Sequence, residues 1–344
     1  MTRNAVHRDA GLRRRVRADD ERRSTRRALL ITLGAGALAP RATFAQQPAK
    51  IRRIGRLMPS TPSASLSTDD GFRQGLRDLG WVEGQNISIE SRYAEGKAER
   101  FRELAAELVR LKVDVIVTAS TPATLAAKNA TSIVPIVMVT TGDPVRTGLV
   151  ASLARPGGNV TGLSVLTQEL GGKQLELLRE AAPAVSRAAL LFNAADPSEA
   201  LTLKQIQGVA RTLGVTLQAV DVRTVGDLDS AFAAMRKERA GALLVLPDPT
   251  FFTHRERIVA LAAKNRLPVI YGMSEFVDAG GLMFYGATLS NQHQHAATFV
   301  DKILKGAKPA DLPVEQPTKF ELLDRKSTRL NSSHIQKSRM PSSA

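Results

Sequence analysis

No cysteine occurs among the 344 residues, so disulfides, thiol catalysis and cysteine-held metal are excluded together. The lipidated cysteine that tethers some exported proteins to a membrane is excluded with them. Histidine is scarce, five residues in all. His254 stands in FFTHRER, and His293 and His295 stand two apart in NQHQHAA; on a helix that pair faces different directions, so both are expected to be solvated rather than to share a metal. There is no G-x-x-x-x-G-K-[ST] loop, no G-x-S-x-G elbow and no H-E-x-x-H pair, which removes the best-marked routes to nucleotide hydrolysis, serine nucleophiles and zinc hydrolysis. Carboxylates stand at Asp143, Asp196, Asp248 and Glu275, but nothing in the sequence fixes their separation. No catalytic residue, metal ligand or cofactor is expected.

A strongly charged body is missing too. The formal charge is +15, yet residues 1–45 carry 11 basic and 4 acidic side chains and residues 324–344 carry 5 and 1, leaving 32 basic against 28 acidic between them. A body this close to neutral is a poor nucleic-acid binder. The apolar run 28–39 is only twelve residues long, too short to span a bilayer but suited to the hydrophobic region of an export signal. Arg26-Arg27 precedes it and Ala45 follows among small residues. Residues 1–45 are therefore expected to be a twin-arginine-like signal cleaved near Ala45, which places the mature protein in the periplasm. GAGALA within that run matches a dinucleotide-fold pattern, but no strand precedes it and no acidic residue follows about twenty positions on.

The body repeats itself. IRRIGRLM, the helix of GFRQGLRDLGW, the strand NISIESRY, the helix ERFRELAAELVRLK and the strands VDVIVTAS and VPIVMVTT are followed by a second series in the same order. That series runs SRAALLFN, LKQIQGVARTLG, VTLQAVDV, DLDSAFAAMRKER, AGALLVLPD and LPVIYGMS. Continuous apolar strands between helices argue for parallel sheets covered on both faces, and two series argue for two lobes. Phe72, Leu76 and Leu79, like Leu104, Leu108 and Leu111, fall at helical spacing and are expected to face the sheet.

In open parallel sheets a ligand sits beyond the carboxyl ends of the strands. The loops there read PSTPSAS, ASTPAT and TTGDPV in the first series and NAADPSE, PDPTFF and GMSEF in the second, rich in serine, threonine, aspartate and proline. Ser120 and Thr121 can cap the following helix with Pro122 in its first turn, and the helix dipole there favours an anionic group such as a carboxylate. Simple capping explains the same residues. Asp143, Asp196 and Asp248 each precede proline, a common way to start a turn.

DGFRQGLRDLGWVEGQNISIESRYAEG, STPATLAAKNATSIVPIVMV, GDPVRTGLVASLARPGGNVTGLS and ILKGAKPADLPVEQPTKFELL together resemble the substrate-binding proteins of ABC importers. Within them they resemble the group with tryptophan- and aromatic-amino-acid-binding members. The resemblance implies an α/β fold of the type I periplasmic-binding kind, two doubly wound parallel-sheet lobes joined by a three-strand hinge. It puts residues 46–160 plus 290–323 in lobe 1 and 161–289 in lobe 2, with crossings near 159–164, at 286–289 and through the last quoted segment. A small-molecule ligand and an inner-membrane ABC permease are the implied partners, and a monomer is expected. After Leu323 the sequence DRKSTRLNSSHIQKSRMPSSA departs from the family pattern and resembles translated adaptor DNA, so 324–344 is expected to be a non-native tail.

For an amino-acid-like ligand, Ser120 and Thr121 would hold the carboxylate, helped by Ser60 and Thr141. Asp143, Asp248 or Glu275 would meet the ammonium, and Tyr271 and Phe251 would cover an apolar side chain. Asn193, in the NAADPSE loop, completes the expected set. Trp81, the single tryptophan, is expected at a helix end away from the cleft. Two other readings share the scaffold: the effector-sensing core of a repressor, which would need an N-terminal helix-turn-helix module where the export-like run stands, and an enzyme.

Overall fold

Apolar strands between amphipathic helices need covering on both faces, and the computed structural model, which describes residues 51–165 and 167–325, does this twice. The first lobe is built from β1 (Arg52–Met58), α1 (Leu66–Asp78), β2 (Ile87–Tyr93), α2 (Phe101–Arg110), β3 (Val115–Ala119), α3 (Thr121–Ala130), β4 (Ile136–Gly142) and β5 (Val160–Val165). Its five strands are all parallel, in the order β2-β1-β3-β4-β5. One face carries Phe72 and Leu76 of α1, the other Leu104 and Leu108 of α2, all buried, with Leu79 and Leu111 packed partly buried at the margins.

The second lobe repeats the winding. It comprises α4 (Thr167–Ala181), β6 (Arg187–Phe192), α5 (Pro197–Thr212), β7 (Thr216–Asp221), α6 (Leu228–Lys237) and β8 (Ala242–Val245). The short α7 (Pro249–Thr253), α8 (Arg255–Lys264), β9 (Val269–Tyr271), α9 (Glu275–Asp278) and β10 (Met283–Gly286) follow. Its strands lie in the order β7-β6-β8-β9-β10, the counterpart of the first sheet, with one antiparallel strand, β11 (Glu321–Asp324), added beyond β10.

Three connections join the lobes. The chain leaves the first sheet after Val165, returns after Gly286 into α10 (Leu289–Leu304), and crosses again between Glu315, which bridges to Leu163, and β11. α10 packs on α1 so closely that a Cβ at Gly71 would lie 2.6 Å from the Ser290 carbonyl, and one at Gly75 would meet the Gln294 carbonyl more closely still. Two expected boundaries shift. Residues 161–165 belong to the first sheet, because β5 continues its ladder to a Gly142–Val165 pairing. β11 lies in the second sheet and runs one residue past Leu323, with the Arg325 N–H donating to Leu282 O, so the supposed tail begins inside a paired strand. The expected export signal and residues 326–344 lie outside the described residues. Among the described residues no helix is long and apolar enough to cross a membrane.

Candidate functional site

The carboxyl ends of both sheets face one cleft, and the helices that start there meet across it. Thr121, first residue of α3, donates from its hydroxyl to that of Ser198, second residue of α5, at 3.3 Å. Two cavities remain beside this contact. One, of about 60 Å³, is lined from the first lobe by Ser120, Thr121 and Thr140, from α10 by Gln292, and from the second lobe by Ser198 and Glu199. The other, of about 70 Å³, shares Ser120 and Thr140 with it and adds Ser60, Asp248, Phe252 and His293.

Ser120 does not cap α3 with its side chain. Its backbone sits at φ +88°, a region that costs a non-glycine residue about 1–3 kcal/mol and persists where the surroundings impose it. Its hydroxyl is buried without a hydrogen-bond partner. Thr121 is committed to protein contacts, accepting from Gly142 N–H at 3.3 Å besides meeting Ser198. On β4 the ladder with β5 slips between Met138 and Thr141, and Thr140 takes φ +54°. This bulge brings Thr140 to the cavities and turns Thr141 inward, where it lies within 3.4 Å of the Thr124 hydroxyl.

Opposite stands a group of buried carboxylates. Asp196 caps α5, accepting from the N–H and hydroxyl of Ser198 at 2.8 and 2.7 Å. Asp248 caps α7, accepting from the N–H groups of Thr250 and Phe251 and from the Asn193 amide at 3.0 Å. Burial pushes the Asp248 carboxyl up to about 6 despite those hydrogen bonds. Glu199 accepts from Asn193 N–H on one oxygen; its other oxygen, Oε1, is buried with no partner. Burial first, then the nearby Asp248 and Asp196, raise its pKa well above the ordinary glutamate range. From α10, Gln292 offers an equally unpartnered Oε1 to the same cavity, and His293 an unpartnered Nε2 to the other. Among the described residues no cluster of His, Asp and Glu suits a metal ion.

Of the residues singled out by sequence, Ser60, Ser120, Thr121 and Asp248 line the cavities, and Asn193 stands behind them, tying Glu199 to Asp248. The others are elsewhere. Asp143 accepts from Arg146 N–H in its own turn. Tyr271 is a strand residue whose ring is buried against Phe276, centroids 4.5 Å apart, and burial raises its pKa. Phe251 is core, while its neighbour Phe252 reaches a cavity. Glu275, at the start of α9, borders a separate groove with Ser63 and Arg255. His293 is buried rather than solvated; His295 pairs with Glu315 at 2.6 Å. Trp81 donates to Asp301 in the first lobe and lines neither cavity. Glu199, Gln292 and the cavity-facing role of His293 are not apparent from the sequence, although NAADPSE contains the first and NQHQHAA the other two.

A two-lobed cleft with unpaired polar atoms on both walls is the geometry of a protein that encloses a solute, and the sequence matches the family described as ABC transporter substrate binding protein over residues 59–337. The chain belongs to that family. The match extends past Leu323 into the segment expected to be foreign. A tyrosine-binding protein of Clostridioides difficile (strain R20291) is 27% identical over 253 residues, 74% of this chain and 72% of the relative. The structure of an ABC domain in complex with L-Trp from Streptococcus pneumonia is 25% identical, covers 80% of this chain and 92% of its own, and superposes with a TM-score of 0.75. A ligand-free, open substrate-binding protein from Clostridium difficile, 26% identical at the same coverage, superposes with 0.58. The chain superposes better on the L-Trp complex than on the ligand-free, open structure.

Proposed function

We propose that this chain is the extracytoplasmic solute-binding component of an ABC importer, and that it captures an α-amino acid between its lobes and presents it to a membrane permease. The observation that carries the reading is the set of buried polar atoms without partners at the cleft: Ser120 Oγ, Glu199 Oε1, Gln292 Oε1 and His293 Nε2. An unsatisfied buried polar group costs about 1–3 kcal/mol. A solute that pairs with several of them at once recovers that cost on closure, which is how binding favours the closed arrangement.

The two cavities divide the ligand. The N-termini of α3 and α5 converge on the first, and two positive helix ends favour a carboxylate between them, with the Ser120 hydroxyl as donor. Gln292 Oε1 is an acceptor suited to the neighbouring ammonium, and the arriving positive charge favours the ionised form of Glu199, whose Oε1 then accepts as well. The second cavity, walled largely by apolar side chains, takes the rest of the molecule. Similarity to the tyrosine-binding protein and to the L-Trp complex supports the same ligand class. The export-like segment 1–45 supports periplasmic placement, the near-neutral body supports a partner other than nucleic acid, and no step of turnover is assigned to the site.

Titration calorimetry of the full chain with the twenty amino acids tests this. Saturable one-to-one binding of at least one, lost in Glu199→Ala, is expected; heats indistinguishable from dilution for all twenty would overturn it.

A further inference from the structure

His293 has no place in holding an amino-acid head group, yet it is among the most deeply buried polar side chains of the protein, 2% exposed. Its Nδ1 lies 2.9 Å from the carbonyl oxygen of Leu289, one turn back on α10. A carbonyl only accepts, so Nδ1 carries the ring hydrogen. Burial first, and then the guanidinium of Arg56, hold the imidazole pKa down to about 4 against a weaker opposing pull from Asp69, so the ring is neutral at pH 7. Arg56 itself is engaged by Asp69 at 2.5 Å beneath the ring of Phe72. What remains is Nε2, a bare lone pair with no partner in the protein. The chamber it borders sets apolar walls, Met58, Phe252 and Met273 among them, beside Ser60, Thr68, Ser120, Thr140 and Asp248, and none of these bonds to Nε2.

An acceptor that no residue of its chamber satisfies cannot be satisfied by a hydrocarbon, a ketone or a carboxylate either. A donor that arrives with the ligand satisfies it. We propose that His293 sets the specificity of the second cavity, selecting solutes whose apolar part bears a hydrogen-bond donor, a hydroxyl or a ring N–H, over isosteres that lack it. The proposal rests on the amino-acid reading above and adds to it the chemistry of the side chain. The asymmetry is steep because a ligand without the donor leaves Nε2 desolvated and unpaired, whereas a ligand with it restores what closure removes. Sites built around such a bond reject the lacking analogue far more strongly than sites that distinguish by a methylene.

Two isosteric pairs, one large and one small, read this whatever the size of the ligand: tyrosine with phenylalanine, and threonine with valine. Calorimetric titration of the full wild-type chain at pH 7 is expected to show the donor-bearing member of whichever pair binds at least about tenfold tighter. In His293→Leu the preference vanishes and the affinity for the apolar member holds or rises. Because this variant alters a buried position, nitrogen NMR of histidine-labelled wild-type protein supplies a second readout: the Nε2 resonance moves on addition of the donor-bearing ligand and stays with its isostere. Equal affinities within a binding pair, a preference that survives His293→Leu, or an Nε2 signal blind to the donor would each overturn the proposal while leaving the amino-acid reading in place. Failure of all four to bind, with the other sixteen amino acids also silent, removes both.

Discussion

Thr121 and Ser198 touch hydroxyl to hydroxyl at 3.3 Å, each in the first turn of a helix belonging to a different lobe. The contact exists only while the lobes are together, so it biases the hinge toward the closed form. A neutral hydrogen bond of this kind contributes about 0.5–1.5 kcal/mol. Thr121→Ala is expected to weaken ligand binding by a factor of about 2–10, and Thr121→Ala combined with Ser198→Ala by little more than either alone. A double-mutant cycle on the dissociation constants checks this; full additivity would mean the two hydroxyls do not act on each other.

Ser120 holds a backbone conformation at φ +88° that glycine adopts without strain. Ser120→Gly should therefore raise the melting temperature of the ligand-free protein, by relief of about 1 kcal/mol or more. The same change removes the hydroxyl offered to the carboxylate and should lower affinity. Scanning calorimetry and titration on one variant test the opposition. A drop in both stability and affinity would show that the strain is not at Ser120.

Glu199 gives the site its pH dependence. Its folded pKa is raised, by burial first and by Asp248 and Asp196 next, so the folded protein holds a proton that the unfolded chain releases. The associated stability is present below the ordinary value near 4.5 and is lost as pH rises through the folded value. Glu199→Gln cannot ionise. It is expected to match the wild type in melting temperature at pH 4 and to exceed it increasingly toward pH 8. The contribution of His293, held down to about 4, is common to both proteins, whereas Asp248, pushed up to about 6 and coupled to Glu199, loses a like-charged neighbour in the variant and adds to the same trend. Parallel stability curves across that range would contradict the assignment.

Gly75 lets α10 lie against α1, for a Cβ there would strike the carbonyl of Gln294 and come within 2.9 Å of the Ala297 methyl. Overpacking of this kind costs about 1–3 kcal/mol. Since α10 also carries Gln292 and His293, Gly75→Ala should lower the denaturant midpoint and weaken ligand binding together. Unchanged binding in a folded but less stable variant would show that the α10 register is set elsewhere.

The two-lobed winding is legible in the sequence because it rests on periodicity: β3 and β4 of the first series and β6 and β8 of the second are largely apolar runs between amphipathic helices. Ser60, Ser120, Thr121 and Asp248 are legible because loops beyond strand ends face the cleft in such sheets. Thr141 stands in for its neighbour Thr140 in the expected set because the β4 bulge, which shifts facing by one residue, leaves no mark in TTGDPV. Tyr271 is a strand residue rather than part of the loop after it, so its ring follows the strand's facing into the core. Glu199 reads as an ordinary glutamate in the third position of a capped helix, a place where glutamates usually serve the cap. His293 is hidden for a different reason: NQHQHAA has the polarity of a solvated turn, and only the close seating of α10 on α1 buries its second face.

The central claim is that one solute touches both lobes at once. Thermal unfolding of the full chain, with and without each of the twenty amino acids, in wild type, in Ser120→Ala from the first lobe and in Glu199→Gln from the second, tests it most directly. A ligand at about a hundred times its dissociation constant adds about 2.7 kcal/mol, a rise of several degrees in wild type, and that rise is expected to shrink sharply or disappear in both variants. A rise that persists at full size in both would place the ligand outside the cleft.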